Sequence, residues 1–346
     1  MPRKRRVGVI AASLVLLAVV AGGALVIAIG GSEEPAGRAY YVAPGGSDGN
    51  PGTSQRPFRT IAKGLSVLRS GATTYVRTGE YDEVVKGPGP QCSSSAPCRL
   101  RSQPGERPVL KGLLWLDGGE GWEIDGIDVT WSDRRAADEH MVKVVGGSDW
   151  TLTGMEIAGA RSFANLLVAG EPRNWRVVGN CIHDTYPSNA TNQDHNVYVN
   201  LGSDASDGVI EGNLIFSATN GSNIKLGGPD ETDPGASHVA VIRNTLYNAA
   251  QNVLVGGRSH DISFEGNITA GARLRLFRAY RLTGDDVVVK SGLAADAPAV
   301  QYADPGFREI TIEHIETVRD PRFDAHRCGA LRPGDAVASR YGAYAR

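Results

Sequence analysis

One short pattern recurs six times between residues 122 and 277: apolar, any residue, Gly, Asn-like, any residue, apolar. The copies are Ile124-Asp125-Gly126-Ile127-Asp128-Val129, residues 152–157, Val177-Val178-Gly179-Asn180-Cys181-Ile182, Ile210-Glu211-Gly212-Asn213-Leu214-Ile215, and residues 241–246 and 264–269. Their third positions (Gly126, Gly154, Gly179, Gly212, Arg243, Gly266) are spaced by 28, 25, 33, 31 and 23 residues. A unit this small cannot bury an apolar face alone and must stack on its neighbours, which is the signature of a solenoid with insertions.

A second column follows the first. Each copy is succeeded by a strand-like triplet: Val142-Lys143-Val144, Leu166-Leu167-Val168, Val197-Tyr198-Val199, Ile224-Lys225-Leu226, Val253-Leu254-Val255 and Leu274-Arg275-Leu276. Asn165, Asn196, Asn223 and Asn252 precede four of these. Two or three short strands per turn, bends at Gly and Asn, and no room for a crossover helix predict a parallel β-helix. Asn180, Asn213, Asn244 and Asn267 fall one coil apart, at a bend that tolerates left-handed backbone, so their amides are expected to bond to one another up the stack.

The 346 residues form one large solenoid domain on this reading, and 44 glycines with 7% aromatic residues suit short strands and tight bends. At the N-terminus, Arg3, Lys4, Arg5 and Arg6 precede residues 7–29, which carry no charge. That run is long enough to cross about 30 Å of hydrocarbon, and the flanking positive charge keeps the N-terminus cytoplasmic. The expected layout is a basic cytoplasmic segment (1–6), a transmembrane signal anchor (7–29), a linker (30–39) and an extracytoplasmic β-helix (40–346). Secretion after cleavage is the alternative. Removing the four N-terminal cations from the net charge of −2 leaves −6 outside, so no nucleic-acid partner is expected and an acidic ligand must meet a local patch. Four cysteines fit an oxidising compartment. Cys92 and Cys98 flank a five-residue loop that a disulfide would close. Cys181 and Cys328 either pin the C-terminal tail to the solenoid or remain two buried thiols.

Before the repeats, Pro57 is expected to open an amphipathic helix with Phe58, Ile61, Ala62, Leu65 and Leu68 on one face and Gly71 past its end. Such a helix would cap the open end of the first coil. Tyr41-Val42-Ala43-Pro44-Gly45-Gly46-Ser47-Asp48-Gly49-Asn50-Pro51-Gly52-Thr53, with Pro57-Phe58-Arg59-Thr60-Ile61 after it, resembles the N-terminus of secreted right-handed parallel β-helix proteins, including relatives of family 9 pectate lyases. The resemblance continues through residues 96–110 and the repeats, and a C-terminal stretch from Arg319 to Asp335 resembles the tail that closes such proteins. It implies a right-handed parallel β-helix. For activity it implies less, because the group spans lyases, glycosidases, epimerases and proteins without a known reaction.

Side chains alternate along a strand, so the middle residue of each second-column triplet points outward. The row reads Trp115, Lys143, Leu167, Tyr198, Lys225, Leu254, Arg275, with adjacent coils about 4.8 Å apart. His195 precedes the Tyr198 strand, Asn200 follows it, and the loops at 183–193 and 227–234 are the longest insertions. Cations with an aromatic, a tyrosine and a histidine suit an acidic polysaccharide. In β-elimination a cation or amide neutralises the uronate carboxylate while a base removes the neighbouring proton. Lys225 or His195 is the candidate base, Tyr198 the candidate acid, and Lys143, Arg275 or Asn200 the carboxylate-binding group. Trp115 and Tyr186 are candidate sugar-stacking residues. The family resemblance brings calcium held by clustered aspartates beside a lysine base, for which Asp184 and Asp194, or Asp230, Glu231 and Asp233, are the candidate ligands. Asp128 and Glu156 share an outward row and need a cation or an arginine between them.

One motif competes. Residues 283–292, with Asp285 and Asp286, resemble the paired-aspartate strand of family 28 polygalacturonases, although the rest of that signature is missing. The expected function is therefore a monomeric, membrane-anchored β-helix acting on an acidic polysaccharide by β-elimination. Non-catalytic binding of a cell-wall glycan and glycoside hydrolysis are the alternatives.

Overall fold

Left-handed backbone at the repeated glycine turns each coil from one parallel sheet into the next. Gly126, Gly154, Gly179, Gly212 and Gly266 have φ between 62° and 69°, and Arg243 adopts the same conformation at 51°. The computed structural model describes residues 37–134, 140–161, 163–186, 194–228, 230–295, 310–323, 327–329 and 332–345. The basic segment at 1–6, the uncharged run at 7–29 and most of the linker lie outside these. Among the described residues, no helix is long and apolar enough to cross a membrane.

Before each bend lies a strand of a first all-parallel sheet, running from Ala39–Val42 through Cys98–Ser102, Ser148–Thr153 and Ser206–Glu211 to Ile310–Ile312. After each bend the chain enters a second sheet. Pro108–Asp117, Leu214–Leu226, Thr245–Gly256 and Asn267–Tyr280 run on through the next corner, so the two later faces of these coils are one continuous strand rather than two separate ones. The chain is thus an all-β parallel solenoid. Its core is the apolar interior shared by consecutive coils.

The asparagines do what their register implies. The amide oxygens of Asn213, Asn244 and Asn267 each accept from the main-chain N–H and the side-chain Nδ2 of the Asn one coil earlier, at 2.8–3.1 Å. Each Nδ2 also donates to a carbonyl of the first sheet, Asn180 to Leu152 and Asn213 to Val177. The second column repeats this: Asn165 donates to Asn196, Asn196 to Asn223 and Asn223 to Asn252, at 2.8–2.9 Å. All eight are buried, and their corner backbone groups would otherwise lack partners.

Trp122, Trp150 and Trp175 stack inside the first sheet with centroids 5.3 and 5.6 Å apart. The next position in the column is Gly208, where a Cβ would lie 2.3 Å from the Trp175 ring, so only glycine allows the following coil to close on the stack. The capping helix is Ile61–Ser66, starting later than Pro57. Phe58 is held in a parallel bridge with Val42, Thr60 caps the helix through Lys63 N–H, and the Glu83 carboxylate accepts from Ile61 and Ala62 N–H. Cys92 bonds to Cys98, and Cys181 bonds to Cys328, tying the tail to the solenoid.

The register changes one expectation. Leu254 pairs with Arg278, and Arg275 sits opposite Gln251, because the strand Asn267–Tyr280 shifts register between Ala249 and Gln251. Phe277-Arg278-Ala279 is the triplet that continues the column, and Arg275 leaves the outward row.

Replacing Asn213 by Ala strands the N–H of Asn180 and removes one bond each from Asn180 Nδ2, the Val177 carbonyl and the Asn244 amide oxygen, which keeps the residue 213 N–H, and is expected to cost about 2–4 kcal/mol. Arg243→Gly, which relieves a left-handed side-chain-bearing residue, is expected to stabilise by up to about 1 kcal/mol. Urea midpoints of the two variants, moving in opposite directions, check both.

Candidate functional site

The outward row is built by direct pairing, Trp115 with Lys143, Lys143 with Leu167, Leu167 with Tyr198, Tyr198 with Lys225 and Lys225 with Leu254. It extends past the predicted members at both ends, to Lys86 beside Trp115 and Arg278 beside Leu254. The Val85-Lys86-Gly87 alternation carries the signal for the first; the second was hidden by the neighbouring Leu274-Arg275-Leu276 triplet, which has the same form. At one end, the ammonium groups of Lys86 and Lys143 lie 4.2 and 3.9 Å from the Trp115 ring centroid, which leaves the indole engaged by cations on the coils before and after it.

At the centre, Lys225 Nζ lies 4.4 Å from the centroid of the Tyr198 ring, and the residue is only 5% exposed. Among the described residues no carboxylate forms an ion pair with it. Burial pushes its amine down to about 8, with Asp233 opposing. Burial, reinforced by Asp233, pushes the Tyr198 phenol up to about 12, against a hydrogen bond from the Asn200 side chain. Asp233 reaches this position because Gly228 is bare: a Cβ there would stand 1.7 Å from the Asp233 carboxylate. Gly235 N–H donates to the other oxygen at 3.0 Å. Asp233 therefore offsets part of the effect of burial on Lys225.

His195 is 0% exposed. Its Nδ1 accepts from Ser222 N–H at 3.0 Å, and burial, then Lys225 and His140, holds it well below the usual imidazole range, so it is neutral with its proton on Nε2. It meets the Tyr198 ring edge-on at 5.8 Å. It has no solvent exposure in this arrangement and packs against Tyr198. Tyr186 is 57% exposed, with the Arg161 guanidinium 4.6 Å from its ring and that same guanidinium over Trp131, so it belongs to a separate corner stack and not to the row.

The expected calcium ligands do not gather. Asp184 pairs with His183 at 2.8 Å, Asp194 is buried and accepts from Asn220 at 2.7 Å, and Asp230 faces Arg281 at 3.5 Å. Among the described residues, no set of carboxylates beside Lys225 fits calcium, and no step is assigned to it. Asp285 and Asp286 are exposed residues before the strand Val287–Val289, and Asp286 has φ 51°, a bend conformation shared with Asp149, Asn174, Asp207, His238 and Asp261. They form a corner, not a carboxylate pair within a strand.

A second charged cluster lies on the sheet after the glycine bend. Arg107 clamps Asp128 through Nε and Nη2 at 2.8 and 2.7 Å, supplying the arginine that Asp128 and Glu156 required. His183 contacts Glu156 at 3.2 Å and Asp184 at 2.8 Å, and stacks on Phe216 with centroids 4.8 Å apart. Burial alone would depress its pKa, but hydrogen bonds to Asp184 and Glu156 push it up to about 9.

The chain is similar to known proteins in its N-terminal segment and in its fold. Residues 44–95 match a family described as a protein of unknown function, DUF1565. Over 83 residues the chain is 37% identical to the uncharacterized protein YwoF of Bacillus subtilis (strain 168), a match spanning 23% of this chain and 17% of that protein. Among solved structures, pectate lyase Pel9A superposes with a TM-score of 0.61 at 14% identity, covering 82% of this chain and 77% of that one. XylC, solved with xylose, gives 0.55 at 12% identity, covering 82% and 67%. The chain shares their solenoid fold.

Because the folded pKa of His183 is raised, its contribution is full below the unfolded value of about 6.5 and is lost as pH rises through about 9. The stability gap between wild type and His183→Gln is expected to be about 1–2 kcal/mol at pH 6, after discounting for its partly exposed partners, and to shrink towards zero by about pH 10. Urea titrations across that range measure it, and a constant gap contradicts the assignment.

Proposed function

We propose that this chain is a monomeric, membrane-anchored, right-handed β-helix protein that acts on an acidic polysaccharide by β-elimination. The observation that carries the reading is the Lys225 amine: buried, without a carboxylate partner among the described residues, and shifted to about 8 beside Tyr198 on the outward row. A neutral amine at that position takes the proton adjacent to a uronate carboxylate. The C–H electrons form the C=C bond, the C–O bond to the next sugar breaks, and the departing oxygen takes a proton from Tyr198, whose raised pKa keeps the phenol protonated at neutral pH. Lys143 and Arg278 are the cations of the row that would meet carboxylates along the chain. The fold shared with pectate lyase Pel9A supports this reading, and the uncharged run at 7–29 after four basic residues supports the anchor.

A second reading, glycan binding without turnover, is favoured by the same burial. At 5% exposure under the Tyr198 ring, the Lys225 amine needs a side-chain movement to reach a substrate.

Incubating the detergent-solubilised full chain with pectate, alginate and glycosaminoglycans, and following ultraviolet absorbance of unsaturated uronate ends, separates the two. Elimination should rise with pH to a plateau above about 8, and Lys225→Ala should lose about 10²-fold or more. Binding without absorbance or new reducing ends selects the second reading. Elimination that survives Lys225→Ala sinks the site. New reducing ends without absorbance indicate hydrolysis. Retention of the chain in membranes after alkaline extraction tests the anchor.

A further inference from the structure

We propose that His238, His260 and Asp261 form a binding site for a divalent transition-metal ion of the zinc class. The three lie on the outside of consecutive coils of the first sheet, just beyond the loop at 227–236, and belong neither to the outward row nor to the His183 cluster. Their donor atoms all fall within 4.8 Å of one another. His238 Nδ1 and His260 Nδ1 both approach the same oxygen, Asp261 Oδ2, at 3.4 and 3.0 Å. Ligand atoms about 2.0–2.1 Å from a tetrahedral ion stand about 3.3–3.4 Å apart, so these separations match a site that needs little movement to close on a metal.

His238 occupies a corner position that repeats from coil to coil. Asp149, Asn174, Asp207, His238, Asp261 and Asp286 all adopt φ of 48–53° at the start of successive first-sheet strands. The other five are Asp or Asn, and histidine is, with them, among the residues found most often in this left-handed conformation, so the corner accepts an imidazole that points outward beside Asp261. The histidine is set edge-on to His260, with ring centroids 5.5 Å apart. Two imidazoles and one carboxylate are a nitrogen-and-oxygen donor set suited to zinc or its neighbours rather than calcium. His238 and Asp261 are exposed and His260 half-buried, so an ion enters from solvent and water completes its coordination. Among the described residues, the other such group, Cys181, His183 and Cys328, cannot compete for the ion through sulfur, because its cysteines are joined in a disulfide.

The test uses the untagged full-length chain in detergent, stripped with EDTA and dialysed. Cobalt(II) titration should give visible ligand-field bands that saturate at one equivalent, and zinc titrated calorimetrically should bind at the same stoichiometry. His260→Ala and Asp261→Asn should each weaken binding about tenfold or more, while His314→Ala leaves it unchanged. His238→Asn keeps a side chain suited to the left-handed backbone, so it should fold normally, lose the metal, and no longer gain thermal stability from zinc. Absence of stoichiometric binding up to millimolar zinc, or equal binding by wild type and His238→Asn, overturns the proposal.

Discussion

Register between parallel coils is the constraint on which everything else in this molecule depends. Each coil repeats about 4.8 Å above the last, and a residue's chemistry is decided by what stands at the same place on the coils either side. The two amide ladders secure this at the corners, where parallel strands end and backbone groups lose their sheet partners. An asparagine oxygen that accepts both N–H groups of the asparagine one coil earlier cannot shift by one residue without breaking four bonds at once.

The same register explains why the surroundings of Lys225 differ from those of an ordinary surface lysine. Its coil neighbours are Tyr198 and Leu254, and Leu254 is 1% exposed although it points away from the core. An outward row that is nonetheless buried removes water from the amine and weakens the ammonium form. The bare backbone of Gly228 lets Asp233 oppose that effect from the adjoining loop. The amine is thereby placed between full charge and full neutrality, a balance that a solvated strand would not produce.

Much of this was legible in the chain itself. The Gly and Asn columns marked the solenoid, its bends and its ladders. The outward row was correct from Trp115 to Leu254. It failed at Arg275 because Leu274-Arg275-Leu276 and Phe277-Arg278-Ala279 have the same apolar-basic-apolar form, and only a register shift at the corner distinguishes them. His195 misled for a related reason: next to an inward asparagine, strict alternation does not predict which side its ring takes. His183 was only half marked, since Asp184, the larger cause of its raised pKa, adjoins it in sequence while Glu156 is 27 residues away. Arg107 acts through Asp128, 21 residues away on another strand, and no nearby pattern marks that pair.

The Cys181–Cys328 bond closes a ring of chain with 147 residues of separation. An open solenoid can fray from its end, one coil at a time, because each coil rests mainly on its neighbours. Here tension on the segment beyond Cys328 passes through the disulfide to the coil of Cys181, bypassing the coils between. Those coils, which carry Tyr198 and Lys225 as well as the His238 corner, are mechanically shielded from pulling at the C-terminus. The bond converts the most vulnerable end of the stack into an enclosed loop.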